Sequence, residues 1–184
     1  MDETKTKMMK LGKILHIILL IFRGLMIVLG AILLGAIVVM NVTDINLPKI
    51  STDLFMVGFN IEQSGDIALT KEIITVSFIA LSVDLIMAFV ITHFLDQVFK
   101  SIAEGNSPFD ANNIKALTNS ARTGIAYIFI PGIALFVSGA LLAPGVGFDY
   151  EINSELIFFV LVLYFLIRIF AYGAQLQQQA DETL

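Results

Sequence analysis

Residues 14–40 read ILHIILLIFRGLMIVLGAILLGAIVVM, an apolar run whose polar interruptions are His16 and Arg23. A helix needs ~20 such residues to cross ~30 Å of hydrocarbon, and this run exceeds that length. Lys5, Lys7, Lys10 and Lys13 precede it in the manner of a signal peptide, but the run is too long for a cleaved segment and lacks an A-x-A site. It reads as a retained first span. Three more runs of the same kind follow at about 73–99, 125–142 and 156–172. Of 184 residues 57% are hydrophobic and the mean hydropathy is +0.87, far from soluble composition. The expectation is an all-α membrane protein, a four-transmembrane-helix bundle forming one membrane domain over 1–184.

An even number of spans puts both termini on one side. Lys5, Lys7, Lys10 and Lys13, then Lys100, Lys115 and Arg122, lie on that side, whereas "APGVGFDYEINSE" between the last two spans has no basic residue. The excess of Lys and Arg marks the cytoplasm, so the reading places both termini there, in a plasma (inner) membrane. The external loop 41–72 contains "LFMVGFNIE" and "DIALT" on either side of "QSG", the pattern of a small external β-hairpin.

Composition also excludes chemistry. A net charge of -5 with no clustered basic face argues against direct nucleic-acid binding. Absence of cysteine removes disulfides, thiolate metal sites and thiol nucleophiles. His16 and His93 make a poor metal pair, and no HExxH, Ser/His/Asp arrangement or phosphate loop is present. The expectation is a protein that is not an enzyme, with no cofactor and no metal. Gly30, Ala31 and Gly35 read as close-packing positions between helices, and both histidines as interfacial anchors.

Charges inside the spans are costly, at least ~2.5 kcal/mol at the bilayer centre, and so mark inward faces. Asp84 falls mid-way along the second span. Steps of four give Ala80, Asp84, Ala88, Thr92 and Asp96, read as one polar seam. Arg23 and Arg168 lie at depths that make either a candidate partner of Asp84. On the fourth span Leu161, Tyr164, Arg168, Tyr172 and Gln175 share a stripe, expected to converge on the same interior. The intramembrane cluster is therefore Asp84, Arg23, Arg168, Tyr164 and Thr92. Two readings compete for it: a fixed ion pair that sets helix register, which the energetics favour, and a proton or ion path.

Residues 104–113, "EGNSPFDANN", form the composed stretch between spans. The second span runs on through "DQVFKSIAE", Gly105 supplies a left-handed stop, and Ser107, Pro108 and Asp110 read as N-cap, N1 and N3 of the next helix. Ile114, Leu117 and Ala121 then give that helix an apolar stripe against Asn113, Lys115, Asn119 and Arg122. Residues 100–123 thus form a cytosolic fold-back joint. Phe109 and Asn113 are left over from capping, so recognition would rest on them.

On Gly105, Pro108, Phe109, Asn113, Leu117 and Arg122, in four-span order over essentially the whole chain, the sequence resembles a bacterial family of membrane proteins known as a domain of unknown function. Thr118 departs from the family pattern, which has a basic residue after the leucine. The resemblance implies a small Cro-type helix-turn-helix regulator as a cytosolic partner, and it supplies no catalytic residues. The expected function is regulatory or partner-binding, relaying a signal to that regulator; the alternative is a small transporter or channel subunit using Asp84. A weaker alternative, an immunity or envelope-stress protein, rests on the long external loop. The bilayer itself is a partner in every reading, and a homo-oligomer is compatible with each.

Overall fold

The computed structural model describes residues 3–43, the backbone of 59–60, and residues 70–182. Four helices account for nearly all of it: α1 (Glu3–Val42), α2 (Lys71–Ala103), α3 (Ala111–Leu142) and α4 (Ser154–Glu182). All four are long and apolar enough to cross a membrane. At 1.5 Å per residue the shortest spans about 43 Å, more than ~30 Å of hydrocarbon, so each extends beyond its apolar stretch. The stripe that begins at Ile114 and the third apolar run are one continuous helix, α3, with Pro131 buried inside it.

The described residues also include two short strands, β1 (Phe59–Asn60) and β2 (Asp149–Tyr150). They pair antiparallel, Phe59 with Tyr150 and Asn60 with Asp149. The hairpin expected within 41–72 is not supported: the strand pairing described for β1 is with the loop between α3 and α4. The intended second arm, except Thr70, lies outside the described residues. Thr70 instead starts α2, its hydroxyl oxygen accepting from the Ile73 N–H at 3.5 Å.

The chain divides into two units, one made of Met1–Met26, Met87–Ala126 and Ser154–Leu184, the other of Ile27–Ile86 and Tyr127–Asn153. In the first, Val98 of α2, Ala116, Leu117 and Ala121 of α3, and Leu163 of α4 form the core, with Leu95, Ile102, Phe159, Ile167 and Phe170 around it. The predicted stripe on α3 is thus buried by α2 and α4. Small residues set the approach: a Cβ at Gly124 would lie 2.6 Å from Val160 Cγ2. On α1, a Cβ at Gly12 would lie 2.9 Å from the backbone N of Ala103 and 3.0 Å from the carbonyl O of Phe99. Those neighbours are backbone atoms and cannot swing aside, so Gly12 fixes where α1 meets α2.

In the second unit, Ile73, Val76 and Ala80 of α2 pack with Leu135 and Ala143 and with Phe148 from the loop after α3. That loop folds back. The Val146 N–H donates to the Ala143 carbonyl at 3.2 Å, and the chain then returns alongside α3. Phe148 seats on Gly139, where a Cβ would lie 2.7 Å from the ring, and Tyr150 seats on Gly132, where it would lie 2.6 Å from the ring. Leu142 to Gly132 is about 15 Å of helix, so the return is deep. Non-helical backbone at such depth is tolerable in a membrane where protein covers it.

Close packing at Gly30 and Gly35, expected from the sequence, is not found among the described residues, none of whose atoms lies within 4 Å of a Cβ built at either position. Ile27, Val28 and Leu29 are consecutive and all exposed, so α1 faces outward on more than one side. Apolar tails satisfy such a surface without helix contact, which is why small residues there need not be interfaces.

Candidate functional site

Asp96 is the centre of the charged site. It is buried on α2, and both of its oxygens are taken by α1: Oδ2 accepts from Arg23 Nη1 at 2.9 Å, and Oδ1 meets His16 Nδ1 at 2.5 Å. The Arg23 guanidinium also lies over the Phe89 ring, 5.0 Å from its centroid. One carboxylate therefore receives two α1 side chains, a guanidinium and an imidazole.

The ion pair anticipated at Asp84 is at Asp96, for two geometric reasons. A helix turns 100° per residue, so every step of four leaves 40° over, and three steps rotate the supposed seam by about 120° between Asp84 and Asp96. Phe89 and Asp96, spaced by a heptad, share the face that meets α1. The second reason is tilt. Cα–Cβ bonds lean toward a helix's own N-terminus, so Arg23 on α1 leans toward the termini while Asp96 on antiparallel α2 leans toward Phe89. The two side chains lean toward each other. Gly12, His16 and Arg23 ascend α1 as their contacts Phe99, Asp96 and Phe89 descend α2, which is the antiparallel register.

Asp84 faces α3 instead, where it is hydrogen-bonded by Tyr127. The return strand brings Tyr150 near the same carboxylate, and burial, followed by the Asp84 charge, holds the Tyr150 phenol above its ordinary range. This second centre, Asp84 with Tyr127 and Tyr150, contains no arginine. Sequence reasoning missed both phenols, since Tyr127 lies at the start of an apolar run and Tyr150 in a loop.

Other members of the expected cluster do not join it. Thr92 donates to the Ala88 carbonyl at 2.9 Å and satisfies itself within α2. On α4 the buried residues are Val160 and Leu163. Tyr164, Arg168 and Tyr172 are all exposed, so that polar stripe turns outward rather than into the packing. His16 is a partner of Asp96 rather than an interfacial anchor. His93 pairs with Gln97 one turn along α2, at 3.0 Å.

The joint at 104–113 is built as a stop and restart, with one change of roles. Gly105 has φ +89, its N–H donates to the Ile102 carbonyl at 3.0 Å, and Asn106 N–H donates to the Ser101 carbonyl at 3.2 Å. That double closure is the Schellman ending of a helix. The restart is capped by Asp110, not Ser107: Asp110 Oδ1 accepts from Asn112 N–H at 2.8 Å, and α3 begins at Ala111. Ser107 opens a turn in which Asp110 N–H donates to its carbonyl at 3.1 Å, Pro108 holding the next position with its fixed φ.

Phe109 and Asn113, left unassigned by capping, are consumed internally. Asn113 is 2% exposed and its Nδ2 donates to the Ser107 carbonyl at 3.0 Å. Phe109 meets Phe170 edge to face at 5.6 Å and fills the space over Gly173, where a Cβ would lie 2.6 Å from its ring. Ser107 Oγ donates to Gln177 Oε1 at 3.0 Å. The joint is a plug on α4. Leu117 belongs to the core and Arg122 is exposed.

No group of three or more potential metal ligands occurs among the described residues. Comparison with protein-family models, curated proteins and solved structures finds no match to the chain.

Proposed function

We propose that this chain is a non-catalytic multi-pass membrane protein that relays a signal to a cytosolic partner, and that the α1–α2 clamp at Asp96 is the element on which the signal acts. The single observation behind this reading is that both α1 side chains able to carry charge within its apolar run, His16 and Arg23, converge on one buried carboxylate of α2. Gly12 against Phe99 and Ala103, and Met9 near Gly105, are among the other places where α1 meets its unit, and the clamp adds the charged contact that bears on how firmly the N-terminal segment is held. Switches of this kind need a local charge change and an element with two arrangements. The segment bearing Lys5, Lys7 and Lys10 is the part such a change would free, and the sequence resemblance suggests a small helix-turn-helix regulator as its recipient.

The test is capture of a small helix-turn-helix protein by the reconstituted chain and by its D96N variant. The reading expects binding that changes on D96N; equal capture by both would remove Asp96 from the relay. In this reading both termini lie in the cytoplasm and the membrane is a bacterial inner membrane.

A transporter reading has one observation in its favour, the carboxylate of Asp84 held by Tyr127 beside a non-helical return strand. It expects proton or cation flux in vesicles that D84N abolishes. Flux unchanged by D84N would count against it. The envelope-stress reading depends on the first external loop, most of which lies outside the described residues.

A further inference from the structure

We propose that the outward stripe of α4 binds the phosphate of an anionic phospholipid in the leaflet on the side of the termini, with Arg168 as the anion ligand and Tyr172 as its companion donor. This rests on the helices crossing a bilayer and is independent of the relay. Arg168 is exposed and has no hydrogen-bond or ion-pair partner among the described residues. Its surroundings on α4 are apolar and outward: Leu161, Phe165 and Ile169 are all exposed. A guanidinium among such side chains is satisfied when its head meets an anion at the membrane surface.

Depth selects the anion. The polar joint seats Phe109 on Phe170 and Gly173 and Ser107 on Gln177, so the polar level of the terminal side begins about one turn from Arg168. An arginine side chain covers that distance by bending toward the headgroups. Tyr172 lies one turn nearer that level, 63% exposed, in the position where tyrosines ring a membrane surface.

Along the helices a second copy in the same orientation offers no free carboxylate: Asp84 is held by Tyr127, and Glu104 and Asp110 lie in the joint. α3 contains no Asp or Glu, α1 has none after Glu3, α4 has none between Glu155 and Asp181, and Asp96 is already taken by Arg23 and His16. Lipid phosphates are present at that depth all round the protein. Guanidinium and phosphate match in a two-point hydrogen-bonded geometry, and a headgroup without a compensating amine leaves the full negative charge for Arg168.

The test is thermal unfolding of detergent-purified full-length protein titrated with phosphatidylglycerol or with phosphatidylcholine, for wild type, R168Q, R168K and K71Q. Phosphatidylglycerol should raise the wild-type midpoint saturably and phosphatidylcholine should not. R168Q should need about tenfold more lipid, the loss of a hydrogen bond to a charged group. R168K, which keeps the charge without the fork, should fall between, and it carries the comparison if R168Q folds poorly. K71Q, which removes an exposed cation at the start of α2, at the other end of the helices, should titrate as wild type. The proposal is overturned if R168Q and R168K titrate as wild type, if phosphatidylcholine acts equally, or if K71Q shifts as much as R168Q, which would mean diffuse attraction only. Release of the protein from membranes by alkaline carbonate would contradict insertion itself, a different failure.

Discussion

At the scale of single residues, Asp96 and Asp84 differ in what depends on their charge. Asp96 is the carboxylate on which a guanidinium and an imidazole both converge, so Asp96→Asn removes the charge that balances a buried cation and one of the two acceptor oxygens, and should cost about 3 kcal/mol. Asp84 is held by a neutral phenol, and an amide can keep that hydrogen bond, so Asp84→Asn should cost below about 1 kcal/mol. Denaturation in mixed micelles measures both, and a larger loss for Asp84→Asn would reverse the ranking. Thr92→Val removes a hydroxyl bonded within its own helix and should lie within about 0.5 kcal/mol of wild type in the same assay. Residue identities and the cost of buried charge were legible in the sequence. Angular drift along a long helix was not applied to the seam, and that is why the partner of Arg23 was misplaced.

At the scale of elements, the joint between α2 and α3 behaves as a plug whose parts are each structural. Gly105→Ala puts a Cβ on a residue with φ +89 and should cost about 1 kcal/mol, read from the unfolding midpoint. Asn113→Ala removes the buried amide that ties the turn to α3 and should cost about 1–3 kcal/mol, with faster proteolysis after Lys100. An unchanged cleavage pattern would mean that the turn is held by Phe109 alone. Helix endings at Gly105 and the turn residue Pro108 are local chemistry and could be read directly. The docking of Phe109 on Gly173 could not, because those positions are distant in sequence and a glycine gives no sign of which ring will cover it. The same holds for β1, whose partner β2 is fixed by Phe148 and Tyr150 folding back over Gly139 and Gly132.

For the whole molecule, four apolar helices imply an even number of crossings, so both ends should lie on one side. The chain has no cysteine, which makes the test clean. Single cysteines placed at Glu3 and at Glu182 should react with an impermeant thiol reagent from the same side of sealed vesicles; reaction from opposite sides would contradict four crossings. Within this architecture the central claim is that α1 is clamped to α2 through Arg23 and Asp96. The direct measurement is a double-mutant cycle of unfolding free energies, Arg23→Gln with Asp96→Asn and, in parallel, Arg23→Gln with Asp84→Asn. Coupling of about 2 kcal/mol is predicted for Arg23 with Asp96, and additivity within about 0.5 kcal/mol for Arg23 with Asp84. Coupling of Arg23 to Asp84, with none to Asp96, would contradict the account.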